Sequence, residues 1–578
     1  MSGAGRRAAL VAFGVALALL AFTTLELSLR LLGVGDERPF VTLETDAGPR
    51  VARAPSGNGE RGDPTAAADR LACAPQKADG TLRVIVVGES TVAGFPFHGE
   101  LSFARLLEWA LRRAGVPTAV EVVNFGRSAD SSDDVRAAAV AALALAPDAL
   151  VVASGHNEFQ ASYVEPLRDG AFARLRTQWR ALALVRAGQS REWRRALPSD
   201  ARPAPLSVGE AAWLAPTEFA RGVARYRDNL AAIGAAARAA GVPLLLMTPV
   251  ENLAFAPCWS HFTRPLDGAT RAAFRRGLES LESDARALLP ESVLLPAAPL
   301  SIEGGAQLAA WRARAAALLA QDDGVARLAF LAARLAERAG DDAAARDLYR
   351  RALACDGYPN RAGPRLAAVV RELAARGDAL LVDPEPLFAE GGGAAPGSAL
   401  FLDYCHPTPE GTARLAESLV EPLLAALRTK LPALDDAASA ALAAAARTAL
   451  RAPAETWLAE LGLTRARLAG RLAATGLDLF RVAEADLAAD EPLALAGRAF
   501  EQALRIDGAL VDAWLGRLAV AIVQGEVATA LQIADNVWRS HPEALQKLDG
   551  LLPSFPRLRR RFEEQRFELR DGRLQRAG

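Results

Sequence analysis

From residue 82 onward, short runs of apolar residues alternate with stretches in which apolar positions recur every three or four residues. "LRVIVV" (82–87), "AVEVVN" (119–124) and "DALVVAS" (148–154) read as buried strands, and helical periodicity fills about Phe103–Ala114 and Asp133–Ala146 between them. That βαβαβ order predicts a parallel sheet with right-handed crossovers. "VPLLLMTPV" (242–250) and "DALLVDP" (378–384) supply two more strands, and Pro409–Arg428 reads as a closing helix. The expected core is a flavodoxin-like, five-stranded α/β sheet over residues 81–430, interrupted by helical insertions at about 160–240 and 265–375.

Two regions do not follow this alternation. Residues 1–34 hold an uncharged apolar run, Ala8–Leu25, preceded by Arg6 and Arg7. It is long enough to cross a membrane, no small-x-small cleavage site follows it, and the paired arginines favour a cytoplasmic N-terminus. An uncleaved anchor with the rest of the chain on the extracytoplasmic, periplasmic side is therefore expected, with a cleaved signal peptide as the alternative. Residues 35–80, rich in Gly, Pro, Asp and Arg, read as a tether. From 431 to 578 the pattern is helical throughout. Ala496, Phe500 and Ala503 repeat the small–aromatic–small spacing of Ala345, Tyr349 and Ala352, and Trp514, Ala530 and Pro542 continue it at a 34-residue period. This predicts an all-α, tetratricopeptide-like tail whose stacked helices would bind a protein or polymer; a generic alanine-rich bundle is the plainer alternative.

Composition narrows the function. The 578 residues are 51% hydrophobic and 23% charged with a formal net charge of -1, which offers no electrostatic case for nucleic acid. Four cysteines are too few and too scattered for a disulfide framework or zinc ribbon; Cys258 and Cys405 are the pair to examine for a single bridge.

Four polar blocks fall at predicted strand ends, where open parallel sheets build their sites: Gly88-Glu89-Ser90, "NFGRSADSS" (124–132), "SGHNEF" (154–159) and "DYCHPTPEG" (403–411). Acyl transfer by serine needs a base, a carboxylate to orient it, and donors aimed at the oxyanion. Ser90 can serve as nucleophile, His406 as base and Asp403 as its partner, while Asn157 and backbone N–H groups can face the oxyanion. Alone, each is ordinary: Ser90 a cap, His406 a surface histidine, Asn157 a loop asparagine. Position 92 is valine, so no Gly-x-Ser-x-Gly elbow is present.

The order and spacing of the blocks resemble the SGNH/GDSL hydrolase family. Its Gly-Asp-Ser appears here as Gly88-Glu89-Ser90, its third-block asparagine as Asn157, and its Asp-x-x-His as Asp403 and His406. The resemblance implies a three-layer sandwich, an acyl-enzyme on Ser90, no metal and no organic cofactor. In relatives the oxyanion glycine lies five residues after the second-block asparagine; counted from Asn124 that position is Ala129, while Gly126 sits earlier, and both remain candidates. The implied partner is an ester substrate, an acylated envelope carbohydrate among the options. An O-acyltransferase on the same fold and a non-enzymatic repeat scaffold with a silent hydrolase domain are the alternatives. Glu89 stands where the family has aspartate; one extra methylene is expected to be tolerated, so that Glu89→Asp retains activity. A rival constellation, His156-Asn157-Glu158 with Cys258 and His261, partly resembles the ligands of zinc deaminases, but about a hundred residues part its halves.

Overall fold

The computed structural model describes residues 3–31, 39–45, 48–54, 71–97, 99–160, 208–285, 289, 302–390, 396–397, 399–431, 435–485 and 490–577. Its centre is an all-parallel sheet of five strands: β1 (Thr81–Gly88), β2 (Ala119–Gly126), β3 (Ala149–Ala153), β4 (Leu244–Met247) and β5 (Leu380–Val382). Their spatial order is β2-β1-β3-β4-β5, a doubly wound order with its switch point between β1 and β3. Gly88 pairs with Gly126 and Ala153, Ala153 with Met247, and Met247 with Val382. All five strands therefore end in one row, and whatever follows each end meets the others.

The strand pleat divides β1 between two cores. Val84 and Val86 pack with helices Phe103–Ala114 and Pro409–Leu427 on one face. Ile85 and Val87 pack with Ser132–Ala142, Pro216–Ala239 and Gly363–Ala375 on the other. Helix starts are chemically marked. Ser102 accepts the Arg105 N–H at 3.3 Å, Asp134 accepts the Ser131 N–H at 3.0 Å, and Thr408 accepts the Gly411 N–H at 3.1 Å.

Long segments separate β3 from β4 and β4 from β5. Of the first insertion, residues 161–207 lie outside the described residues, and helix Pro216–Ala239 covers the sheet rather than leaving it. The second carries helices Gly268–Ala285, Ile302–Gln321 and Ala326–Arg338 around a core of their own, then a hairpin partner, Asp342–Ala354. In that hairpin Ala345 and Tyr349 are buried against Ala333 and Ala336. Helix Gly363–Ala375 returns to the sheet, so the insertion closes earlier than residue 375.

The tether expectation is corrected. Phe40–Thr45 and Gly48–Arg53 form an antiparallel hairpin joined by Ala72–Cys73. Phe40 lies 4.6 Å from the Phe125 ring of β2, and Lys77 reaches Asp148 at 2.6 Å. The described residues of this segment are thus paired strands packed on the sheet domain rather than a loose spacer; residues 55–70, which carry much of its Gly and Pro, lie outside the described residues. Helix Gly3–Leu31 contains an 18-residue window, Ala12–Leu29, with a mean hydropathy of 1.9, long and apolar enough to cross a membrane.

The described residues of the tail are mainly helical between Asp436 and Glu564, but the tail closes on a β-hairpin, Phe567–Arg570 with Arg573–Arg576, so it is not all-α. Its helices share one continuous apolar core with β1 and helix Phe103–Ala114. Phe500 sits between Gly476 and Gly516, where a Cβ would come within 2.9 Å and 2.3 Å of its ring. Across the junction Glu100 meets Arg467 at 2.9 Å and Arg471 at 2.7 Å, and Trp109 donates to Glu460 at 2.9 Å.

Candidate active site

The chain turns sharply at the end of β1. A Cβ on Gly88 would stand 2.1 Å from the carbonyl oxygen of Ala153 and 2.4 Å from Val92, so only glycine fits this close approach. Ser90 then opens a short helix, Ser90–Ala93, whose cap residue is Glu89 and not Ser90. The Ser90 hydroxyl does not cap anything: its Oγ lies 2.8 Å from His406 Nε2. His406 Nδ1 lies 2.7 Å from Asp403 Oδ2, and Asp403 Oδ1 accepts the N–H groups of Cys405 at 3.0 Å and His406 at 2.9 Å. Burial opposes charge on Asp403, but the adjacent imidazole and these donors outweigh it and hold its pKa below the ordinary carboxylate value. Ser90 and His406 are 7% and 6% exposed, enough to be reached while largely dry. Ser90 thus joins Asp403 and His406, far downstream in the sequence, in one hydrogen-bonded chain.

The oxyanion candidates divide. The Gly126 N–H donates to Asn124 Oδ1 at 2.9 Å, and a Cβ there would stand 2.1 Å from Ala93 N. Gly126 is therefore a packing glycine that lets β2 press against the Ser90 helix, and its place among the oxyanion donors is withdrawn. Ala129 has φ 61, a left-handed conformation unusual for alanine, in the loop after β2. Asn157 Nδ2 uses one N–H on the carbonyl oxygen of Asp130 at 2.9 Å, which ties the loop after β3 to the loop bearing Ala129; the amide has a second N–H.

Two supports escaped the sequence reading. Glu89 is buried, and its carboxylate accepts three successive backbone N–H groups: Gly155 at 2.6 Å, His156 at 3.0 Å and Asn157 at 3.2 Å. Complete burial pushes its pKa well above the usual carboxylate value, against the pull of these donors. An aspartate would fall one methylene short of this nest, which argues against the expected tolerance of Glu89→Asp; the glutamate's unusual presence in the block was the available signal. Asp130 lies between Arg53 and Arg127, each 2.6 Å away. Desolvation raises its pKa to about 6 despite both guanidiniums. Arg53 sits in the segment read as a tether, which hid the connection.

His156 is buried beside the pair. Its Nδ1 accepts from the Ala362 N–H at 3.4 Å, and burial, reinforced by nearby His406 and opposed by Asp403, lowers its pKa to about 3, so it is neutral. Phe95 and Tyr404 flank the His406 ring at 4.5 Å and 5.6 Å. Glu158 is held by Arg225 at 2.7 Å and the Ser132 N–H at 3.1 Å, a structural role.

The zinc-deaminase constellation does not assemble. Among the described residues, the metal-capable side chains within mutual reach are Asp403, Cys405 and His406, without His156, Cys258 or His261. None of the four cysteines is in a disulfide, so Cys258 and Cys405 form no bridge. A cavity of about 210 Å³ opens at the same end of the sheet between Glu251, Arg346, Leu353 and Phe388, and shares no lining residue with the Ser90 chain. Comparison with protein-family models, curated proteins and solved structures finds no match for this sequence.

Proposed function

We propose that the protein is a membrane-anchored serine esterase or acyl hydrolase of the SGNH/GDSL kind. The observation that carries this reading is the continuous Ser90–His406–Asp403 chain, with a 2.8 Å contact from Oγ to Nε2. Ser90 Oγ attacks the ester carbonyl as its proton passes to His406 Nε2. The resulting oxyanion is met by the N–H of Ser90, the loop at Ala129 and the second N–H of Asn157. His406 returns the proton to the departing alcohol, leaving an acyl-enzyme that water cleaves by the same steps. Asp403 orients the imidazole and stabilises its charged form. No step asks for a metal or organic cofactor.

The parallel sheet supports the family assignment, with three blocks in order after β1, β2 and β3 and the fourth leading into the closing helix Pro409–Leu427. The apolar N-terminal helix supports a single anchor, and Arg6 and Arg7 before it favour an extracytoplasmic catalytic domain. The helical hairpins, with small residues packed on Tyr349 and Phe500, favour tetratricopeptide-like units for a protein or polymer partner. An acyltransferase would use the same chain of residues with a sugar hydroxyl replacing water.

Fluorophosphonate labelling of the full chain in detergent tests the reading. Wild type takes one label, whereas Ser90→Ala takes none and His406→Ala labels at least about 10³-fold more slowly. A folded wild type that stays unlabelled, or equal labelling of Ser90→Ala, sinks it. Turnover of a chromogenic acetyl ester that rises when a sugar acceptor is added would favour the transferase.

A further inference from the structure

The Asp403 carboxylate has a donor from outside the sheet domain. Gln502 Nε2, on the tail helix Asp490–Ile506, donates to Asp403 Oδ2 at 3.3 Å, the oxygen that also faces His406 Nδ1. Three residues on, and so on the same helix face, the Arg505 guanidinium donates to the carbonyl oxygens of Phe401 and Leu402. These carbonyls immediately precede Asp403. The helix is fixed in place by Phe500, wedged between two glycines of its neighbours. The turn is held from its other side by Asn252, whose Nδ2 donates to the Asp403 carbonyl at 2.9 Å.

We propose that Gln502 and Arg505 are positioning residues for the proposed esterase site, so that the helical tail sets the basicity of His406 through the carboxylate of Asp403. The inference rests on the serine-hydrolase reading for its meaning in catalysis, though not for its physical content. A neutral donor on Oδ2 takes part of the negative charge that would otherwise stabilise the imidazolium. Removing it leaves a fuller charge for His406, which then holds its proton to higher pH. Arg505, whose pKa burial lowers, has exchanged water for two backbone carbonyls and so pins the turn on which Asp403 sits. The other titratable groups around the pair are Glu89, His156, Glu251, Arg361, Tyr404 and Cys405; the substitutions below alter none of them.

The test uses the full chain in detergent with Gln502→Met, which keeps length without a donor, and Gln502→Glu, which adds a charge. Two readouts are taken: the pH dependence of fluorophosphonate labelling, and a ¹⁵N-histidine titration of His406, assigned with His406→Ala and needing no reaction. The acid limb and the titration both move to higher pH, by about half a unit for Gln502→Met and about one unit or more for Gln502→Glu. Melting temperatures near that of wild type show that the fold is kept. Unmoved titrations in both folded variants overturn the proposal and reduce Gln502 to a packing contact. A titration that moves in a protein whose wild type never labels leaves the proposal standing and removes the hydrolase reading instead.

Discussion

Two regions converge on the same imidazole by opposite routes. The turn from Gly88 to Ala93 reaches His406 from a buried strand end that is hemmed in by backbone at two points: Ala153 against Gly88, Gly126 against Ala93. The helix Asp490–Ile506 reaches the same pair through two long polar side chains, Gln502 and Arg505, extended across the boundary between sheet and tail. Steric contact at Gly88 and Gly126 tolerates no added atom. Hydrogen bonds from the helix are individually modest and can be altered without disturbing the fold. The first region decides whether a site exists, and the second adjusts how it behaves.

The largest expected effect lies on the turn. Gly88→Ala places a methyl 2.1 Å from a carbonyl oxygen that no rotamer change can move, so the fold should lose about 3 kcal/mol or more. A thermal melt reads this directly, and a variant as stable as wild type would mean that the turn is less confined than its geometry states. Next comes Glu89→Asp. Withdrawing the carboxylate from Gly155, His156 and Asn157 loosens the loop that presents Asn157, and labelling at Ser90 should slow roughly 10- to 100-fold with little loss of fold. A change within about twofold would leave Glu89 without a positioning role.

The smallest effect is a pH slope on the sheet side. His156 is held neutral with a pKa of about 3 against 6.5 for the free side chain. Between those values the unfolded chain binds more protons than the native one, so His156 contributes stability above pH 6.5 that is lost as pH falls toward 3. Wild type should lose about 2 kcal/mol from this group between pH 7 and pH 5, and His156→Gln should remove that part of the slope. Equal slopes in thermal melts at the two pH values would show that His156 is not excluded from its proton.

The contrast between regions also explains what could be read in advance. Strands β1, β3 and β4 announce themselves because burial on both faces makes them almost continuously apolar, whereas β5 is read from its apolar residues although Leu380 and Leu381 are exposed. Ser90 and Asn157 follow strand ends, and Asp403 and His406 precede a helix start, where position in sequence implies position in space. Gly126 was legible as special but not as packing rather than chemistry, since either use favours glycine. Arg53 was hidden by a composition that fits turns and tethers equally. Gln502 and Arg505 carry no pattern at all: they are polar positions on an amphipathic helix, indistinguishable in sequence from a solvated face. Only the docking of that helix beside the 401–406 turn gives them partners.

The order of these parts along the chain has a consequence for biosynthesis. A polypeptide made from its N-terminus releases Ser90 early, with its turn able to close against β2 and β3, but the base arrives hundreds of residues later and the tail's hydrogen bond to its carboxylate later still. A nascent or truncated chain therefore carries Ser90 before its partner His406 exists, and the hydrogen-bonded chain from Ser90 to Gln502 is complete only when nearly the whole polypeptide has been made and folded.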